Sequence, residues 1–159
     1  MPNLRWLFFF IASHTAYADE SAVVPAEVLS AHNPLRAAVG APPLRYSPPL
    51  ATSAQAWANF LSRTRACQAE YSNGTLGENV YLTHGSAVGV TEVIQAWGAE
   101  KADYRQHRCR GGQVCGSYTQ IVWKSSTRVG CAVSRCASGD QIWVCHYFPA
   151  GNWEKAKPY

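Results

Sequence analysis

Apolar residues recur at helical spacing through the first two thirds of this chain, then give way to strand-like runs beyond Cys109. Residues 25–39 are predicted to be a helix, with Pro25 suited to its first turn and Val28, Leu29, His32, Arg36 and Val39 near one face. Pro34 interrupts it, either by kinking the helix or by opening a fresh one capped by Asn33. Two proline pairs, at 42–43 and 48–49, bracket a short extended piece carrying Leu44 and Tyr46. A second helix spans about 49–66, its stripe made by Leu50, Ala54, Trp57, Ala58 and Leu61. A third, about 88–103, carries Val90, Val93, Ile94, Trp97 and Glu100. Between them lie a Ser72-Asn73-Gly74-Thr75 turn and the run 76–82, in which Glu78 and Asn79 form a polar pair.

The stretch from Cys115 to Trp123 is rich in β-branched and aromatic residues and reads as a buried strand. As a strand it would place Ser117, Thr119, Ile121 and Trp123 on one face and Tyr118, Gln120 and Val122 on the other. Neither face is purely polar, so the sheet is expected to be covered on both sides. Residues 129–136 and 141–148 read as a hairpin around Ala137-Ser138-Gly139-Asp140. A turn centred between 138 and 139 makes opposed residues sum to about 277. Cys131 and Cys145 then stand almost opposite each other, within disulfide reach. Cys136 falls on the other face of its strand, and Cys109 and Cys115 span a tight loop. Cys67 is left to pair with Cys136, tying the second helix to the sheet.

The amino terminus changes the picture of where the protein works. Arg5 precedes the apolar run 6–12, and Ala16-Tyr17-Ala18 supplies the small-x-small pattern of a signal peptide, with cleavage expected before Asp19. The run is too short to span a membrane, which needs about 20 apolar residues. The mature chain is then 159 − 18 = 141 residues, one domain covering 19–159. Without Arg5 it carries 13 basic and 10 acidic residues, a net charge of 13 − 10 = +3. The basic residues are scattered, which argues against nucleic acid as a partner. All six cysteines lie in the mature part, an even number in a secreted chain, and no close Cys-x-x-Cys pair suggests zinc. Asn73 heads an N-glycosylation sequon.

Several motifs, in order, carry a family likeness: His32-Asn33-x-x-Arg36, Gly77-Glu78-Asn79, and Trp97-x-x-Glu100-Lys101 with Tyr104. After them come Cys115-Gly-x-Tyr118-Thr-Gln120-x-Val-Trp123, Val129-Gly-Cys131 and Cys145-x-Tyr147-x-Pro149-x-Gly151-Asn152. Together they resemble the CAP superfamily of cysteine-rich secretory, antigen 5 and pathogenesis-related 1 proteins, most closely the plant pathogenesis-related 1 branch. The six cysteines also fall at that branch's spacing. The resemblance implies an α+β fold, a three-layer α-β-α sandwich, stabilised here by three disulfides. It also implies a monomer secreted to the extracellular space (apoplast) or a vacuole.

In that family two His and two Glu converge in a central cleft, and some members hold a divalent metal between the imidazoles. Carried over by motif, the cleft residues here are His32, Glu78, Glu100 and Ser117, the last standing where the family has its second His. A hydroxyl in place of an imidazole removes a good transition-metal ligand, so no metal or other cofactor is expected. The cleft then reads as a buried hydrogen-bonded network. A Ser-His-Glu or metal-dependent hydrolase is the alternative, but Gly-Ser-Tyr lacks a nucleophile elbow, and no catalytic residue is assigned.

Two functions follow from the resemblance. One is binding of sterol or another lipid through the loop of about 80–88, with Val80, Tyr81 and Leu82 as its apolar contacts, and an antimicrobial effect. The other is release of the last eleven residues, 149–159, by cleavage between Phe148 and Pro149, as a defence-signalling peptide for a receptor. His146 departs from the Asn usual in that branch.

Overall fold

The computed structural model describes residues 23–159, so the signal peptide and its cleavage site lie outside the described residues. Helix α1 (Pro25–Ala37) begins on Pro25 and runs through Pro34 without a second start. Strand β1 (Arg45–Tyr46) leads into α2 (Pro48–Thr64). Strand β2 (Gly77–Leu82) contains the Glu78-Asn79 pair. Helix α3 (Val90–Ala99) tightens into a 3₁₀ turn over Glu100–Asp103. A small hairpin, β3 (Tyr104–Arg105) and β4 (Arg108–Cys109), precedes α4 (Gly116–Ile121), and β5 (Arg128–Arg135) and β6 (Gln141–Phe148) close the fold.

The main sheet has the order β1-β5-β6-β2, with β1 parallel to β5 and the other pairs antiparallel. Opposed residues of β5 and β6 sum to 276, and Cys131 faces Cys145. The expected hairpin is therefore present, one residue tighter than anticipated. All three predicted disulfides form: Cys67–Cys136, Cys109–Cys115 and Cys131–Cys145.

Both faces of the sheet are covered. On one side Val129, Cys131, Val133, Trp143, Cys145 and Tyr147 meet the apolar residues of α1, α3 and α4. On the other, Ala132, Ile142 and Val144 meet Ala54, Ala58 and Leu61 of α2. Alternation along each strand sends neighbouring residues to opposite cores. Gly130 shows how close α2 lies: a Cβ there would come within 2.6 Å of the Leu50 carbonyl carbon and 2.7 Å of the Ser47 oxygen. Backbone cannot move aside as a flexible side chain can, so this position requires glycine.

One prediction fails. The segment 115–123 is not a strand, because residues 116–121 form α4. The Thr119 and Val122 N–H groups donate to the Cys115 and Tyr118 carbonyls, and the Thr119 hydroxyl sits within 3.0 Å of the Cys115 oxygen. Five of its six residues are buried, so neither period shows in the sequence, and β propensity yields to tertiary contact. Thus Ser117 and Thr119 do not share a strand face.

Arg36 anchors α4 and is itself fully buried. Its guanidinium meets no carboxylate; it donates to the carbonyls of Pro42 (2.7 Å), Ile121 (2.8 Å), Trp123 (2.9 Å) and Ser126 (2.8 Å). Three of these carbonyls, those of Ile121, Trp123 and Ser126, lie at or just beyond the end of α4, where intrahelical donors run out; that of Trp123 also accepts from the Ser126 N–H at 3.1 Å. Burial lowers its pKa to about 10, still charged at neutral pH.

Candidate functional site

His32 and Glu78 do not share a cleft; the sheet stands between them. Asn79 and Tyr147 project to the α1 face, while their neighbours Glu78 and His146, paired across β2 and β6, project to the α2 face. The expected convergence therefore fails for His32.

His32 is fully buried. Its Nδ1 lies 2.8 Å from the Val28 carbonyl, which can only accept, so Nδ1 carries the proton. Its Nε2 then accepts from the Tyr147 hydroxyl at 2.9 Å. The amide of Asn79 donates to that hydroxyl (3.3 Å) and to the Ser117 carbonyl (3.0 Å). Burial lowers the imidazole pKa to about 4, so the ring is neutral across the physiological range. Burial likewise raises the Tyr147 phenol. The His32, Tyr147 and Asn79 side-chain donors of this chain of contacts are all met within the protein, as a buried network requires.

Glu78 works on the opposite face. It accepts from the Ser72 N–H (2.9 Å), the Ser72 hydroxyl (2.5 Å) and His146 Nε2 (3.0 Å). His146 Nδ1 in turn meets the Ser53 hydroxyl of α2 at 3.0 Å. Burial pushes the Glu78 carboxyl up, but the hydrogen bonds from His146 and Ser72 outweigh it and hold the group below the usual carboxylate range. This arrangement fastens the turn around exposed Asn73 to β2 and β2 to α2.

Glu100 has a third role. Its Oε2 accepts the Tyr118 N–H at 3.0 Å, capping the first turn of α4 where backbone donors lack partners. Ser117 is buried beside it and contributes its carbonyl to Asn79. No motif singles out Tyr71. Its phenol is raised first by burial and then by the charges of Glu100 and Glu78, although the residue as a whole is 62% exposed.

These positions decide two questions of chemistry. The Nε2 of His32 is committed to Tyr147, Ser117 offers a hydroxyl, and Glu78 lies across the sheet, so this donor set does not fit a divalent metal. The hydrogen bonds of His32 and His146 go to Tyr147, Glu78 and Ser53 rather than to the Ser117 hydroxyl, so the Ser117-His32-Glu78 triad is not assembled.

The other predicted contacts are also placed. Val80, Tyr81 and Leu82 are strand residues, not loop residues. Val80 and Leu82 pack on the α2 core, and Tyr81 meets Trp97 edge-on at 6.4 Å. Phe148 ends β6, and its carbonyl accepts from the Thr127 N–H at 2.9 Å. The Pro149 carbonyl accepts from the Ser126 hydroxyl at 2.7 Å. Among the described residues, no helix is long and apolar enough to cross a membrane.

Comparison with known proteins agrees with this architecture. The profile of the Cysteine-rich secretory protein family (CAP) matches residues 29–147. Pathogenesis-related protein 1A of Nicotiana tabacum is 37% identical over 155 residues, covering 96% of this chain and 89% of the relative. Pathogenesis-related protein 1 of Arabidopsis thaliana is 38% identical over 159 residues, covering 98% and 96%. Among solved structures, NaASP2 with Zn2+ superposes with a TM-score of 0.69 at 23% identity over 89% of this chain and 88% of that one. Hookworm Platelet Inhibitor superposes with a TM-score of 0.68 at 23% identity over 85% and 74%.

Proposed function

Since this chain belongs to the cysteine-rich secretory protein (CAP) family, with plant pathogenesis-related 1 proteins among its relatives, we propose that it is a secreted defence protein that binds a lipid. The observation that carries this reading is a groove of about 340 Å³ between α1 and α3, walled by Ala31, Pro34, Leu35 and Gly98. Ser30, Thr91 and Gln95 supply the few polar groups at its edge. Mostly apolar lining with a few polar groups suits the hydrocarbon part of a sterol or an acyl chain. The groove replaces residues 80–82 as the contact surface. Three disulfides pair all six cysteines, which fits an oxidising compartment, extracellular or vacuolar.

The test is titration of the oxidised protein with a fluorescent sterol and a fluorescent fatty acid. Saturable binding that is lost in Ala31→Trp, kept in Tyr81→Ser and indifferent to added zinc supports the reading. Absence of saturable binding, or binding that survives the filled groove, overturns it.

A second reading concerns residues 149–159, matching the plant branch's releasable tail. Its ends are held: the Gly151 N–H donates to Gln120 (2.9 Å), the Pro158 carbonyl accepts from Lys124, and Tyr159 packs on Tyr104 and His107. Residues 153–157 between them are exposed, which suits a segment that is stored folded and cut later. Mass spectrometry of extracellular fluid after infection should find the eleven-residue peptide; its absence removes this role.

A further inference from the structure

A second cavity, of about 370 Å³, shares no wall residue with the lipid groove and lies between the 104–116 segment and the carboxy-terminal tail. Its wall includes the rings of Tyr104, His107, Trp123 and Trp153 with the side-chain amides of Gln113 and Asn152. We propose that this cavity binds an acidic oligosaccharide, a chain of uronic-acid sugars, with one sugar ring stacked on Trp153.

The argument begins with what each group has left to offer. Trp153 is 62% exposed, yet its one donor, Nε1–H, is spent on the Ala150 carbonyl at 2.9 Å. The indole is thereby fixed in place and can engage a ligand only through its flat face. A pyranose presents a matching flat patch of C–H bonds, which an aromatic face attracts. Asn152 is spent as well: its oxygen accepts from the Thr119 hydroxyl (2.7 Å) and its amide donates to the Gly116 carbonyl (2.9 Å). It therefore positions its neighbour Trp153. The Gln113 amide and the His107 ring, by contrast, form no side-chain hydrogen bond among the described residues, and both are exposed. They are free to donate to and accept from sugar hydroxyls.

The backbone on both sides is held in unusual conformations. Gln106 (φ 50°), His107 (φ 60°), Asn152 (φ 57°) and Lys155 (φ 63°) all occupy the left-handed region. At Gln106 and His107 this is the conformation that the two-residue turn between β3 and β4 requires, and at Asn152 and Lys155 the surrounding tail contacts hold it. Here the Cys109–Cys115 disulfide fixes one wall, and the tail contacts already described fix the other.

Charge selects the class of sugar. Arg110 is paired with Asp103 at 3.1 Å. Arg105 and Arg108, which line a neighbouring pocket of the same hairpin, and Lys155 and Lys157, on either side of the cavity residue Ala156, are exposed and form no ion pair among the described residues. Among the side chains of these two segments Glu154 is the acid left to oppose them, beside the terminal carboxylate of Tyr159. A neutral glycan would leave these cations unused, and a polyphosphate would leave the indole face unused. A uronic-acid chain engages both. Because Trp153 and Asn152 belong to the tail, release of residues 149–159 would dismantle the site, which does not depend on the lipid reading.

Calorimetric titration of the full folded protein tests this, with a galacturonic acid hexamer, a neutral glucose hexamer and inorganic polyphosphate as probes, at about 50 and 200 mM salt. The expected result is saturable binding of the uronic-acid hexamer that weakens at the higher salt, with the neutral hexamer bound at least about tenfold less well. Trp153→Ala should weaken it at least about tenfold, Trp153→Tyr should restore most of it, and Gln113→Ala should weaken it severalfold. Lys155→Gln with Lys157→Gln should flatten the salt dependence. The lipid titration should be unchanged in all of these variants. No binding of the uronic-acid hexamer, equal binding of the neutral hexamer, equal binding of polyphosphate, or full binding by both Trp153→Ala and Gln113→Ala overturns the proposal.

Discussion

The two faces of the central sheet each bury a histidine, and they use it in opposite ways. On the α1 face, His32 lies among neutral partners, its proton fixed by the Val28 carbonyl and its lone pair taken by Tyr147. On the α2 face, one position from Tyr147 along β6, His146 bridges the Glu78 carboxylate and the Ser53 hydroxyl. The same side chain at similar depth is a neutral strut in one place and the hydrogen-bond partner of a carboxylate in the other. Burial alone does not set the role of an imidazole; the charge of the group placed against it does.

The largest test of this contrast removes the buried cation of the neutral face. Arg36→Met deletes the four hydrogen bonds that Arg36 donates to the Pro42, Ile121, Trp123 and Ser126 carbonyls and should cost about 4 kcal/mol or more. A denaturant midpoint close to that of the native protein would show that these carbonyls find other partners.

Acid should separate the faces next. His32 has a folded pKa of about 4 against 6.5 unfolded, so between these values the unfolded chain binds the extra proton. Stability is therefore present above pH 6.5 and falls on acidification from 6.5 towards 4, by roughly 3 kcal/mol. Glu78 has the depressed carboxylate, so its contribution is present above pH 4.5 and is lost only as pH falls further. Unfolding curves of His32→Asn should lose the first slope and keep the second; those of Glu78→Gln should do the reverse.

A smaller cut sharpens the same comparison. Tyr147→Phe leaves the His32 Nε2 lone pair buried without its donor and should cost about 1–3 kcal/mol, read by thermal unfolding. The smallest effect is expected at Ser117→Ala. The network takes the Ser117 carbonyl and not its hydroxyl, so stability should change by less than about 0.5 kcal/mol. Loss of a hydrolytic activity in that variant would contradict the assignment of no catalytic role to the cleft.

Much of the fold was legible in the sequence because its signals are local. The stripes Leu50-Ala54-Ala58-Leu61 and Val90-Val93-Ile94-Trp97 gave their helices correctly, and the β5–β6 alternation placed Cys131 against Cys145. The disulfide Cys67–Cys136 followed once the other four cysteines were paired. The site was less legible. Glu100 and Ser117 are neighbours as the motifs implied, but His32 belongs to a different network, and Tyr71, His146 and Ser53 are site residues that no motif marked. Strand pairing held the missing clue, since Glu78 opposes His146 and Asn79 opposes Cys145.

By itself, then, the sequence determined the family motifs, the disulfide framework and the elements whose one-sided burial leaves a period to read. Tertiary structure alone decided two things. It made residues 116–121 a helix, because a segment buried on every side carries no period. It also set His32 and Glu78 on opposite faces of the sheet, because pleating sends consecutive residues to separate cores whatever motif they share.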